Sequence, residues 1–211
     1  MTSRQLEQGG VPTIVLTGGP CAGKSALIAK LPPLIEARLG WHAITIPETV
    51  AWMGSNGMHR EDFPDIATFQ SMQTRMQVSH EDDAMEAARS MGNGNVLILM
   101  DRAIPDAAAY LSDNGYRRVL AENGLTAGQV MGRYDVVIFL HSVACRHRQL
   151  YRAQGNSMRI ERDATYAERA DERTLMAYAT HPHVREIADT ETIEEKTELV
   201  MEAVADVLSA V

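Results

Sequence analysis

The stretch from Val11 to Ser25, VPTIVLTGGPCAGKS, constrains the fold of this chain more than any other. Val11 to Thr17 is a short apolar run rich in β-branched residues, closed by Gly18 and Gly19, and reads as a buried first strand. Lys24 to Leu39 then reads as a helix with Leu27, Ile28, Leu31 and Ile35 on one side. Pro32 and Pro33 lie inside that span and are expected to bend or break it. Between strand and helix, Gly18-Gly19-Pro20-Cys21-Ala22-Gly23-Lys24-Ser25 fits G-x-x-x-x-G-K-[ST] at every fixed position. Glycines let a backbone wrap around an anion and present its N–H groups, and a helix N-terminus adds partial positive charge. Lys24 is placed to reach the β- and γ-phosphates of a nucleoside triphosphate, and the Ser25 hydroxyl to ligate Mg²⁺. Gly18, Gly19, Pro20, Cys21, Ala22, Gly23, Lys24, Ser25 and the adjoining Ala26 are therefore candidate nucleotide contacts. Cys21 reads as a small residue that the loop tolerates rather than as a nucleophile. The competing reading is a glycine-rich turn that matches by chance; the flanking strand and helix argue against it.

The same alternation continues along the chain. Trp41 to Ile46 reads as a second strand closed by Pro47. Ile66 to Met91 reads as a long amphipathic helix, with Ile66, Phe69, Met72, Met76, Ala84, Ala88 and Met91 at helical spacing. Val96 to Met100 and Val136 to Leu140 are buried third and fourth strands, separated by a glycine-interrupted helical region from Ala107 to Met131. Asp163 to Tyr178 reads as a helix, Val184 to Ile187 as a short fifth strand, and Thr192 to Val211 as a last helix with Val200, Val204, Val207, Leu208 and Val211 on its apolar face. Apolar strands alternating with helices imply a parallel sheet covered on both faces. With no repeat, low-complexity tract or linker, one domain over residues 1–211 is the economical expectation, residues 1–10 being flexible.

Ligands of open parallel sheets bind beyond the carboxyl ends of the strands, and two acids stand there. Asp101 follows VLILM, the apolar-run-then-Asp pattern of an acid that holds Mg²⁺; the alternative is an aspartate capping the next helix. Glu48, in Ile46-Pro47-Glu48-Thr49, is placed to accept a proton from an attacking hydroxyl; the alternative is a solvated first-turn glutamate favoured by the helix dipole. Arg102 is a candidate to steady the transferred phosphoryl group or to bind the acceptor, against the reading of a surface arginine. Between residues 146 and 162 lie Arg146, Arg148, Arg152, Arg159 and Arg162 with a single acid, Glu161, around a flexible Gly155-Asn156-Ser157 tip. Residues 142–162 are expected to close as a lid, with Arg148 and Arg152 on the nucleotide, Arg152 and Arg159 on the charge of the transferring group, and Arg162 toward the acceptor. A solvated basic helix or a local nucleic-acid patch are the alternatives.

Composition narrows the partners. The chain has 211 residues, a net charge of −8 and a pI near 5.4, which suits broad contact with nucleic-acid phosphates poorly. No apolar run reaches the length of a membrane span, and the polar start lacks the apolar core of a signal peptide. Cys21 and Cys145 make neither a disulfide framework nor a metal site, so a cytoplasmic protein with reduced thiols is expected, a homodimer staying open.

These motifs resemble the small P-loop kinases, above all the nicotinamide-riboside-kinase-like AAA_28 group and more loosely the deoxynucleoside kinases. VLTGGPCAGKS is similar to the AAA_28 opening, and Arg162-Asp163-Ala164 through Asp171-Glu172 to Tyr178 to the segment that follows the lid. Glu48 resembles the catalytic glutamate after the second strand, and Asp101-Arg102 the Glu-Arg pair after the third, with Asp in place of Glu. Phe69-Gln70 resembles a deoxynucleoside-kinase pair whose glutamine contacts the acceptor, which makes Gln70 a candidate acceptor contact. The deoxynucleoside-kinase Glu-Arg-Ser reads Asp-Arg-Ala here, and its Glu-Pro reads Glu-Thr. The resemblance implies a three-layer α/β/α P-loop fold with strand order 2-3-1-4-5. It also implies ATP and Mg²⁺ as co-substrate and cofactor, and a small-molecule hydroxyl as acceptor. A nucleotide-binding switch without an acceptor and a kinase acting on nucleic acid are the other readings.

Overall fold

Ile14 and Leu16 face one side of the sheet and Val15 the other, the period-two alternation of a strand buried on both faces. The computed structural model describes residues 10–92, 94–142 and 164–209. Five parallel strands, β1 (Thr13–Gly18), β2 (His42–Ile46), β3 (Val96–Asp101), β4 (Val136–Leu140) and β5 (Val184–Ile187), lie in the order β2-β3-β1-β4-β5. The register pairs Leu16 with Asp101 on one side and Gly18 with Leu140 on the other, so the ends of β1, β3 and β4 come level at one edge.

Helices α1 (Lys24–Leu39) and α2 (Thr49–Ser55) precede the long α3 (Ile66–Ser90); α4 (Asp113–Glu122), α5 (Ala127–Met131), α6 (Ala164–Ala177) and α7 (Ile193–Leu208) follow. On one face α1 and α7 set Leu27, Leu31, Ile35, Val200 and Val204 against Ile14, Leu16, Leu99 and Ile138. On the other, Ala84 and Ala88 of α3, Leu120 of α4 and Tyr178 after α6 meet Val15, Ile98, Met100 and Val137. The result is the three-layer α/β/α P-loop architecture expected from the sequence. Among the described residues no helix is long and apolar enough to cross a membrane.

Four local expectations are corrected. Helix α1 runs without interruption through Pro32 and Pro33. Pro33 is exposed and Pro32 half-buried, while Leu27, Leu31 and Ile35 are fully buried, and that packing outweighs the lost backbone hydrogen bonds. The region 107–131 is a 3₁₀ segment, Ile104–Tyr110, followed by α4 and α5, with Ser112 and Thr126 as side-chain caps of those two helices. In α3, Met72 and Met76 are only half-buried and Met91 is exposed. Phe69, Ala84 and Ala88 are buried as expected, but the residues buried between them are polar: Gln70, Ser71, Thr74, Gln77 and Glu81. The last helix ends at Leu208, with Thr192 as its N-cap and Val211 outside the described residues.

Candidate active site

The end of β1 and the start of α1 are shaped by close approaches that only glycine allows. Gly18 has φ +139°, and a Cβ there would lie 1.9 Å from the Leu140 carbonyl oxygen of β4. At Gly19 a Cβ would meet the Asp171 carboxylate at 2.2 Å. Cys21 and Gly23 both take left-handed backbone, with φ 59° and 90°, which turns the loop into the helix. No acidic residue stands in the first turn of α1 and no side chain caps it, so the partial positive charge of that helix end is left for a ligand.

Partners on three elements fix the loop from behind. Asp171 of α6 accepts from the Gly19 amide (3.0 Å) and the Ser142 amide (2.8 Å), and His141 shares its other oxygen at 2.9 Å. The Ser142 hydroxyl donates to the Pro20 carbonyl. Lys196 of α7, buried in an ion pair with Asp189 at 2.8 Å, also donates to the Ala22 carbonyl at 3.2 Å. Sequence reasoning passed over Ser142, Lys196 and Asp189, since nothing in their local pattern marks them. Asp171 and Tyr178 carried a signal only through the AAA_28-like segment.

Lys24 folds back on this loop, donating to the Gly18 and Gly19 carbonyls at 2.9 and 2.7 Å. Burial, and then the nearby Arg102 charge, hold its ammonium down to about 8, against the pull of Glu48, Asp101 and Asp106. Asp101 ends β3 beside it, 5% exposed, with its Oδ1 lacking a hydrogen-bond partner among the described residues. Burial, reinforced by the Glu48 charge, pushes its carboxyl up to about 6. Asp101 does not cap the following 3₁₀ segment, whose N-cap is Ala103.

Arg102 follows with φ 68°, a left-handed conformation rare for a non-glycine residue. Its guanidinium donates to Glu48 (2.7 Å) and to Asp106 (2.8 Å), so it is no surface arginine. Glu48 stands at the N-cap of α2, yet its side chain makes no capping bond and turns to Arg102 instead. Asp106, missed in the sequence, is a buried hub that also accepts from Thr17 (2.6 Å), Tyr178 (2.5 Å) and the Ala103 amide.

These groups open on one cleft of 690 Å³. Its walls bring together Pro20, Cys21, Ala22, Gly23, Lys24, Ser25 and Ala26 from the loop with Glu48, Arg102 and Gln70. Gly18 and Gly19 lie under the loop rather than in the cleft wall, and Asp101 is likewise set back from it. Phe69, Gln73, His59, Asp106 and Tyr110 complete the far side. Gln70 and Gln73 each keep a buried Oε1 without a hydrogen-bond partner among the described residues. Of the expected lid over residues 142–162, all but Ser142, including Arg146, Arg148, Arg152, Arg159 and Arg162, lies outside the described residues.

Mg²⁺ prefers hard oxygen ligands, and an orphaned carboxylate oxygen on Asp101 with the exposed Ser25 hydroxyl supply that donor type. The model of the AAA_28 family, described as an AAA domain, matches residues 13–196. No curated protein matches the chain. The family match agrees with the AAA_28 part of the resemblance and covers the loop, Glu48, Asp101, Arg102 and the α6 segment that braces the loop. The chain belongs to the AAA_28 family and is a P-loop nucleotide-binding protein.

Proposed function

We propose that the protein is an ATP- and Mg²⁺-dependent phosphotransferase that moves the γ-phosphate to a hydroxyl of a small molecule. The observation that carries this reading is the single cleft shared by the phosphate loop and Glu48. Phe69, Gln70 and Gln73 line the same cleft on the side away from the loop and supply the wall against which a small acceptor would sit in this reading.

In this reading Lys24 exchanges the Gly18 and Gly19 carbonyls for β- and γ-phosphate oxygens, and the loop amides and the α1 N-terminus hold the rest. Ser25 and Asp101 would hold Mg²⁺, which when bound neutralises charge developing on the phosphates. The acceptor hydroxyl gives its proton to Glu48, its oxygen bonds to the γ-phosphorus, and the bond to the bridging oxygen breaks to release ADP. Glu48 is held for this by its ion pair with Arg102. A loose phosphoryl transfer asks little more of it, because the hydroxyl becomes acidic only as the new bond forms. Arg102 orients Glu48 and Gln70 contacts the acceptor.

The test is transfer of labelled γ-phosphate from ATP to alcohols selected by a thermal-shift screen with a non-hydrolysable ATP analogue. Glu48→Gln should leave nucleotide affinity within about threefold and slow transfer by roughly 10²–10⁴, the range for one positioned base. A wild-type rate in Glu48→Gln removes Glu48 from this role. Slow hydrolysis with no acceptor phosphorylated points to a nucleotide switch.

A further inference from the structure

Beyond Gln70, which lines the cleft, the buried polar stripe of α3 continues away from it through Gln77 and Glu81. Thr49, the first residue of α2, is 1% exposed, and its hydroxyl donates to Gln77 Oε1. Gln77, 4% exposed, donates through Nε2 to Glu81 Oε1 at 3.0 Å. Glu81, 3% exposed, also accepts from the Tyr134 hydroxyl at 3.0 Å and from Arg133 Nε. Tyr134 in turn accepts from the Ile104 amide at 3.3 Å. A carboxylate kept in a core is costly unless every lone pair is used, and an apolar helix face would pack against the sheet without that cost.

The ladder has a direction, and the direction explains the carboxylate. An ionised carboxylate only accepts hydrogen bonds, so Glu81 holds the Gln77 amide with Nε2 toward itself. Gln77 Oε1 must then face Thr49, and the Thr49 hydroxyl has one way to point. Thr49 directly follows Glu48, whose backbone makes the turn into α2. We infer that Glu81 is a positioning residue: through Gln77 and Thr49 it fixes the turn that presents Glu48 to the cleft. The assignment rests on the reading of Glu48 as the base, but the pinning of the turn does not.

The ladder can be inverted and restored by substitution. In Glu81→Gln, Arg133 Nε holds the new carbonyl oxygen at the Oε2 position, so the new Nε2 takes the Oε1 position, which faces Gln77 and the Tyr134 oxygen. The Gln77 amide turns over, and the buried Thr49 hydroxyl loses its acceptor on α3. In the double variant Gln77→Glu with Glu81→Gln, the carboxylate moves one step along the ladder. It accepts from the Thr49 hydroxyl and from the new glutamine, so the original direction returns with the same charge.

The experiment measures two quantities on the full chain. Hydrogen exchange in residues 46–56, read without nucleotide, reports the turn; kcat and KM for phosphoryl transfer report the chemistry. Glu81→Gln and Thr49→Val should raise exchange in that segment about tenfold or more and lower kcat by about 10–100-fold, with nucleotide Kd within about threefold of wild type. The double variant should bring both quantities back to within about threefold of wild type. Exchange unchanged in Glu81→Gln, or no recovery in the double variant, overturns the proposal. Faster exchange with an unchanged kcat, in a protein whose Glu48→Gln variant also transfers normally, leaves the pinned turn standing and refutes the base.

Discussion

Replacing Asp101 by asparagine should make the nucleotide-free protein more stable while weakening its binding of Mg²⁺-nucleotide. In metal-free solution the Asp101 carboxyl is pushed from its ordinary value of 3.8 up to about 6, by burial first and the Glu48 charge second. The folded state thus holds a proton that the unfolded state releases between about pH 4 and pH 6, so stability falls as pH rises through that window and stays reduced above it. At 1.36 kcal/mol per pH unit the full penalty is about 3 kcal/mol. Asparagine keeps the size of the side chain and has no charge to bury. The variant should therefore melt about 6–12 °C higher at pH 7.5 in EDTA, for a chain of this length. At pH 4 the gain should shrink below about 1 kcal/mol, because the folded wild type then holds its proton almost fully and the unfolded chain about two-fifths of one. Thermal melts of the two proteins from pH 4 to pH 8 give the comparison directly. An Asp101→Asn protein that melts lower than wild type at pH 7.5, or a difference that does not change with pH, would refute the assigned electrostatics.

Lys24→Ala should weaken ATP binding at least about tenfold by calorimetry, since it removes a charge aimed at the phosphates. Because the Lys24 ammonium is held down to about 8 in the empty loop, wild-type ATP affinity should fall as pH rises past 8, by up to about tenfold per pH unit. The Lys24→Ala affinity should lack this slope. Gly19→Ala sets a Cβ against Asp171 and should cost about 1–3 kcal/mol in chemical denaturation together with most nucleotide affinity. Pro33→Ala restores a backbone donor on the exposed side of α1 and should stabilise the protein by about 1–3 kcal/mol, measured by urea unfolding.

The sheet and the phosphate loop were legible because their signals are local. β-branched apolar runs and the spacing of Gly18, Gly23, Lys24 and Ser25 need no knowledge of distant residues, and strands β4 and β5 fall where the apolar pattern puts them. The acids at the strand ends were legible for the same reason: the topology fixes which end faces the ligand. The pairing of Arg102 with both Glu48 and Asp106 was not, because Asp106 sits in a sequence that reads as an ordinary helix start. The α3 stripe misled a reading based on hydrophobicity, which assigns Met72 and Met76 inward and gives no reason to bury Gln77 and Glu81. Buried polar residues become comprehensible only when their partners, Thr49 and Tyr134, are seen across elements. The braces on the loop from Asp171, Ser142 and Lys196 lie over 100 residues away in the chain and leave no periodic trace.

Helix α1, with two adjacent prolines in its middle, has no independent existence as a helix. Its order is borrowed from Leu16, Leu99 and Val204 through the burial of Leu27, Leu31 and Ile35. The anion-binding end of α1 is therefore only as firm as the interior on that face of the sheet. A cavity-forming change at Ile35 or Val204, remote from the cleft, should be felt as weaker nucleotide binding, and bound nucleotide should in turn slow the opening of that half of the interior. Ligand affinity in this protein serves as a gauge of core integrity.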